Sequence, residues 1–193
     1  MDYWEHSDAV RARLEAIFTA SASLVLFLEY VPETLREWLR SRLADHALDA
    51  ALEAAILRVH DQWRETAAFM NERGMLHFDL NASNVLTDGE RVYAADFGLA
   101  LCTDFDLSPA ERAFFATHRL YDRSYVNWAF VEWLAPKTER TLLTPPLSAL
   151  VNRCAPVANT FGNFLKTLSE GSKTTPYPAS ELEAEFAAQP NIY

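Results

Sequence analysis

Hydrophobic and polar positions along the chain alternate between a helical period and short apolar runs. In residues 7–18 ("SDAVRARLEAIF"), Val10, Leu14 and Ile17 share one face behind Ser7, a good N-cap, and the spacing predicts a helix. "SLVLFLEY" follows as a continuous apolar run with the composition of a buried strand. Pro32 ends it, and "ETLREWLRSRL" sets Leu35, Trp38, Leu39 and Leu43 at helical spacing. From about Asp45 to Arg73, the residues Leu48, Leu52, Ile56, Val59, Trp63 and Met70 form the stripe of a long helix that Gly74 stops.

The period then changes. "MLH", "NVLT" and "VYAADF" predict three short strands, and Asp88-Gly89 marks a tight hairpin between the last two. "SPAE" (108–111) is a capping box with Pro at the first helical position, opening a helix expected to run to about Leu134. Helical spacing returns from Leu147 to Leu168, breaks at "SKTTPYPAS", and resumes in a last short helix capped by "SELE" (180–183). With no internal repeat, the pattern predicts a predominantly α, α+β domain whose few strands cluster in one place.

Composition narrows the partners. Half of the 193 residues are apolar and 12% are aromatic, enough for a core and too many for a disordered chain. A net charge of -10 repels the phosphate backbone, which argues against nucleic acid. Phosphate groups of a substrate would have to be held by metal ions or a locally basic patch. Cys102 and Cys154 suit neither a disulfide framework nor a zinc site and read as buried small residues in a reducing compartment. The longest clean apolar run, "LVLFL", is far short of the roughly 20 residues that cross a bilayer. No basic region followed by an apolar stretch opens the chain, so a cytoplasmic protein without a membrane partner is expected.

The chemistry concentrates in "HFDLNASNVLTDGERVYAADFG", residues 77–98. Phosphoryl transfer asks a protein for a carboxylate that orients or accepts the proton of the attacking hydroxyl, and for oxygen ligands that hold magnesium on the phosphates. Asp79 is the candidate base, and Asn84 and Asp96 are the candidate metal ligands. A hairpin whose strands begin near Asn84 and end near Asp96 would bring both to one edge. Turn chemistry accounts for each of these residues singly; their ordered combination favours a site.

"HFDLNASN" resembles the catalytic loop of protein kinases and of aminoglycoside and choline kinase-like phosphotransferases, and "DFG" resembles their metal-binding motif. Upstream, "LVLFLEYVPETLREWL" resembles the fifth strand, hinge and following helix of that superfamily. The motifs cover about Leu24 to Leu101, and the later helices match loosely. The resemblance implies a protein kinase-like C-terminal lobe over 24–193, with a small β hairpin at the catalytic site, after an N-terminal helical stub over 1–23. Within the lobe it implies a hinge at 29–33, a catalytic loop at 77–84 and the DFG at 96–98. It further implies ATP and Mg2+ as cofactors, Asp79 as catalytic base and Asn84 and Asp96 as magnesium ligands. His77 would brace the loop, and Glu29, Tyr30 and Val31 would line the adenine pocket through backbone groups.

Several positions depart from that pattern. Protein kinases usually carry Arg after the loop His and Lys two residues after the Asp, where this chain has Phe78 and Asn81. No "APE" follows at the usual distance, only "LAPK" (134–137), and the helix opening at Ser108 looks more like the small-molecule branch. The first of five glycines is Gly74 and the first of three lysines is Lys137, so no Gly-rich phosphate loop or strand lysine stands before the hinge. Glu15 lacks a lysine partner, and Asp104 and Asp106 read as solvated.

The expected activity is transfer of the ATP γ-phosphate to a hydroxyl of a small molecule or a Ser/Thr side chain, incomplete without an N-terminal lobe. Such a chain is a fragment, or half of a split enzyme whose partner protein supplies that lobe. The alternative is a non-catalytic pseudokinase-type binding or scaffold module. In each case the apolar 24–31 segment is expected to be covered by the first 20 residues or by a partner.

Overall fold

A computed structural model describes residues 7–45, 48–134 and 143–189. The chain forms two compact units, 1–30 and 31–193.

In the first unit, helix α1 spans Asp8–Phe18, and the Ser7 hydroxyl accepts the Val10 N–H at 3.5 Å. The predicted cap is therefore present, but on the apolar face of α1 Leu14, Ile17 and Phe18 are exposed. The predicted strand over "SLVLFLEY" does not form, and Leu24 to Leu28 are exposed, Phe27 at 95%. A strand exists only with a ladder partner for its N–H and C=O groups. None stands beside this run among the described residues, and α1 does not cover it as anticipated.

The second unit begins with β1 (Glu33–Thr34) and α2 (Leu35–Asp45). Thr34 and Glu37 make a local cap, the Glu37 carboxylate accepting both the N–H (3.0 Å) and the hydroxyl (2.8 Å) of Thr34. Helix α3 spans Ala50–Glu72 and starts later than the spacing suggested, because the Asp49 carboxylate accepts the Leu52 N–H at 2.8 Å and fixes the N-terminus there. Its buried stripe includes Ile56, Val59, Trp63 and Met70, as the periodicity predicts, with Ala67 and His60. Gly74 ends the helix with φ 69°, a left-handed conformation that glycine adopts without steric cost.

The strands are β2 (Met75–Leu76), β3 (Val85–Thr87), β4 (Val92–Ala94) and β5 (Leu101–Cys102). They form two small antiparallel sheets, β1-β3-β4 and β2-β5. In the 88–91 connection between β3 and β4, the Asp88 carboxylate accepts the N–H groups of Glu90 and Arg91, and Gly89 sits at φ 89°.

The helix expected from Ser108 to Leu134 is two helices, α4 (Pro109–Thr117) and α5 (Tyr121–Leu134). The predicted capping box opens α4: Ser108 Oγ accepts the Glu111 N–H (3.3 Å), and the Glu111 carboxylate accepts the Ser108 N–H (2.7 Å). Helices α6 (Pro145–Glu170) and α7 (Ala179–Ala188) complete the fold. Ser180 lies inside α7, whose N-cap position is Pro178, so "SELE" does not cap it. The "LAPK" motif continues past Leu134 beyond the described residues.

The core fills the space among α3, α5, α6 and α7, with Trp63, Phe161, Leu182 and Phe186 fully buried or nearly so. Gly162 belongs to this contact, since a Cβ there would press on the indole of Trp128. Leu80, Ala82 and Val85 join the same core from the segment after His77. That segment is thus anchored at three positions while Asn81, Ser83 and Asn84 stay half-exposed. The result is a predominantly α, α+β domain, and among the described residues no helix is long and apolar enough to cross a membrane. Cys102 and Cys154 are free and buried.

Candidate phosphotransfer site

Two local devices set the geometry of 77–84. The first is an Asx-type turn: the Asn81 side-chain oxygen accepts the Ser83 N–H at 2.8 Å, and the Asn84 N–H bonds to the Asn81 carbonyl at 2.8 Å. The second fixes Asp79. Its Oδ1 accepts from the Asn81 side-chain amide and its Oδ2 from the Asn84 amide, both at 2.7 Å. Each carboxylate oxygen therefore has a donor, and the group is oriented before any ligand arrives. Asn84 commits its NH2 to Asp79, leaving its Oδ1 as the atom able to ligate a metal.

Hairpin register then brings the second motif alongside. Val85 pairs with Ala94, and the Ala95 N–H bonds to the Asn84 carbonyl at 2.8 Å. Asn84 thus lies across from Ala95, one residue from Asp96. Asp96 is exposed at φ 57° and accepts the Gly98 N–H at 3.3 Å, opening a 3-10 turn over Phe97–Leu99. Asp and Asn tolerate this left-handed conformation better than most residues.

His77 couples the two motifs. Its Nε2 lies 3.0 Å from the Ala95 carbonyl, which only accepts, so Nε2 carries the proton and donates. Nδ1 is then the acceptor, and it takes the Asp79 N–H at 3.3 Å. The ring also packs on Phe97, with centroids 4.7 Å apart.

A residue absent from the sequence reading anchors this segment. Asp122, fully buried in the first turn of α5, accepts the His77 N–H at 2.7 Å and the Phe78 N–H at 2.9 Å. Burial pushes its carboxyl up, opposed by those two hydrogen bonds. They hold Phe78 at φ 61°, a conformation costing a bulky residue roughly 1–2 kcal/mol. Asp122, Ser124 and Asn127 are all fully buried, whereas the other polar residues of α5, Arg123 and Glu132, are not.

The model of the protein tyrosine and serine/threonine kinase family matches residues 1–135. This chain belongs to that family. No curated protein matches it.

In this kinase-family chain the match spans residues 77–84, residues 96–98 and α5 as far as Leu134. Among the described residues no three His, Cys, Asp or Glu side chains gather around a metal position. The oxygens that could hold a metal at the hairpin end are the carboxylate of Asp96 and the side-chain amide oxygen of Asn84. Hard oxygen ligands of this kind suit magnesium, which takes few protein ligands and completes its shell with water and phosphate oxygens. Tyr125 on α5 is a further neighbour, its phenol pushed up to about 12 by burial first and then by the charge of Asp79. Glu29 and Val31 fall on either side of the division between the two units.

Proposed function

We propose that this kinase-family chain carries the catalytic-loop half of an ATP- and magnesium-dependent phosphotransferase that moves a γ-phosphate to a hydroxyl. The observation that supports it is the pair of 2.7 Å bonds holding Asp79 between Asn81 and Asn84, with Asn84 paired across the hairpin beside Asp96. In this reading Asp79 orients the acceptor hydroxyl and takes up its proton at a carboxylate oxygen. Asn81 and Asn84 keep that carboxylate in one rotamer. Asn84 Oδ1 and the Asp96 carboxylate hold Mg2+, which supplies charge neutralisation at the phosphates. Backbone groups of Glu29 and Val31 take the adenine, and 29–33 serves as the hinge of a lobe covering 24–193. The acceptor is a small hydroxyl compound or a Ser/Thr side chain, and a cytoplasmic location goes with it.

The competing reading is a non-catalytic kinase-like binding module. It is favoured by the lack of any glycine before Gly74 and of any lysine before Lys137. Transfer of labelled γ-phosphate, assayed with Asp79→Asn as the control, separates the two. Turnover lost in the variant supports the enzyme, and wild-type protein without turnover but with retained nucleotide binding supports the module.

A further inference from the structure

An aromatic groove of about 460 Å3 opens beside Phe78, within the roughly 300–1,000 Å3 range of small-molecule sites. Its walls are Phe78, Phe114, His118, Tyr121, Phe164 and Tyr177. Phe78 lies 5.1 Å from Tyr121 and 5.5 Å from Phe114, and Phe164 meets Tyr177 edge to face at 5.4 Å. Rings at these spacings suit a further flat ring that offers faces to edges and edges to faces. Burying an ion against such walls costs its hydration, which favours an uncharged ligand.

Half-exposed His118 adds a polar feature to that wall. The Phe114 ring lies 3.9 Å from the imidazole at 27° and the Tyr177 ring 4.5 Å at 31°, so both of its faces are taken. What the imidazole presents is its edge. Nδ1 lies 2.8 Å from the Phe114 carbonyl, which only accepts, so Nδ1 carries the proton and donates. Burial holds His118 below its ordinary range, opposed by that hydrogen bond, and the ring is neutral at pH 7. Nε2 is then an acceptor, and no group among the described residues donates to it. Other polar groups of the lining are engaged: the Thr174 and Thr175 hydroxyls each lie 2.7 Å from an oxygen of Ser172, and Lys173 donates to the Leu168 carbonyl at 3.1 Å. An acceptor set among rings selects a ligand with a matching donor.

We propose that this groove binds a small, uncharged, flat aromatic compound with one N–H or O–H donor, of the indole or phenol type. Its rings lie among Phe78, Phe114 and Phe164, and its donor bonds to His118 Nε2. Asp79 does not line the groove, so the site does not depend on the phosphotransfer reading.

Calorimetric titration of the full chain at pH 7.5 with indole tests the proposal, with benzofuran as the counterpart of the same shape that lacks the donor. Saturable one-site binding of indole is expected, with benzofuran about fivefold weaker. His118→Phe keeps an aromatic ring between Phe114 and Tyr177 but removes the acceptor, and should abolish the preference for indole. No saturation, equal or tighter binding of benzofuran, or a preference that survives in His118→Phe overturns the proposal. If His118→Phe shifts the melting curve, Phe114→Ala takes its place. That change removes an exposed wall and should weaken both compounds about tenfold, and unchanged affinity there overturns the proposal equally.

Discussion

The buried carboxylate of Asp122 accepts the backbone N–H of His77 at 2.7 Å, joining the first turn of α5 to the segment that carries Asp79. His77 in turn bonds the Ala95 carbonyl and the Asp79 N–H through its ring. A helix, the catalytic-type loop and the strand leading to Asp96 therefore share one hydrogen-bonded chain.

Removing the anchor should be costly. Asp122→Ala leaves two backbone N–H groups without their acceptor, each worth about 1–3 kcal/mol when buried. We expect a loss of about 3 kcal/mol in urea unfolding and roughly half that for Asp122→Asn, which retains one acceptor oxygen. An unchanged midpoint in Asp122→Ala would show that the contact contributes nothing to the fold.

Gly74 offers a second test. A side chain there would be strained at φ 69° and would press on the Thr103 side chain, while the Thr103 N–H bonds to the Gly74 carbonyl at 2.8 Å. Gly74→Ala should lower stability by about 2 kcal/mol or more. A melting temperature equal to the wild type would remove the conformational role given to this glycine.

Acid should weaken the fold through His60. Burial first, then the charges of Arg64 and Arg153, lower this imidazole to about 3. Its ring packs 3.9 Å from Phe130, and the 3.9 Å approach to exposed Asp61 does not offset the burial. The folded state binds the proton less readily than the unfolded state, so this contribution is complete above about pH 6.5 and declines as pH falls toward 3. A slope of about 1.4 kcal/mol per pH unit is expected from this one group across that window. His60→Phe should flatten the profile by that amount, and an identical profile in the variant would remove His60 as its cause.

How much of this was legible in the sequence depended on whether the signal was local. The Ser108–Glu111 box, the Gly74 stop and the β3–β4 hairpin each rest on residues a few positions apart, and each appears where the spacing put it. Asp79 and Asn84 are close in sequence, and the pairing of Asn84 with Ala95 across the hairpin follows from its register, so the approach of the two motifs could be read from a pattern. Asp122 could not, because an acidic residue in a helical first turn reads as a dipole partner; only tertiary burial makes it an anchor. "SLVLFLEY" failed for the converse reason. Its composition is that of a strand, but strand formation is decided by a partner that composition does not name. The single helix expected from Ser108 misled similarly: its apolar content runs through, yet the backbone breaks at residues 118–120 between α4 and α5.

The central claim is that Asp79, Asn84 and Asp96 form a magnesium-nucleotide site, and calorimetry of ATP binding with and without Mg2+ tests it most directly. The account predicts a magnesium-dependent heat for the chain as written that disappears in Asp96→Ala, while the variant keeps its unfolding midpoint. No binding at millimolar ATP, or binding that is indifferent to both Mg2+ and Asp96→Ala, would contradict it.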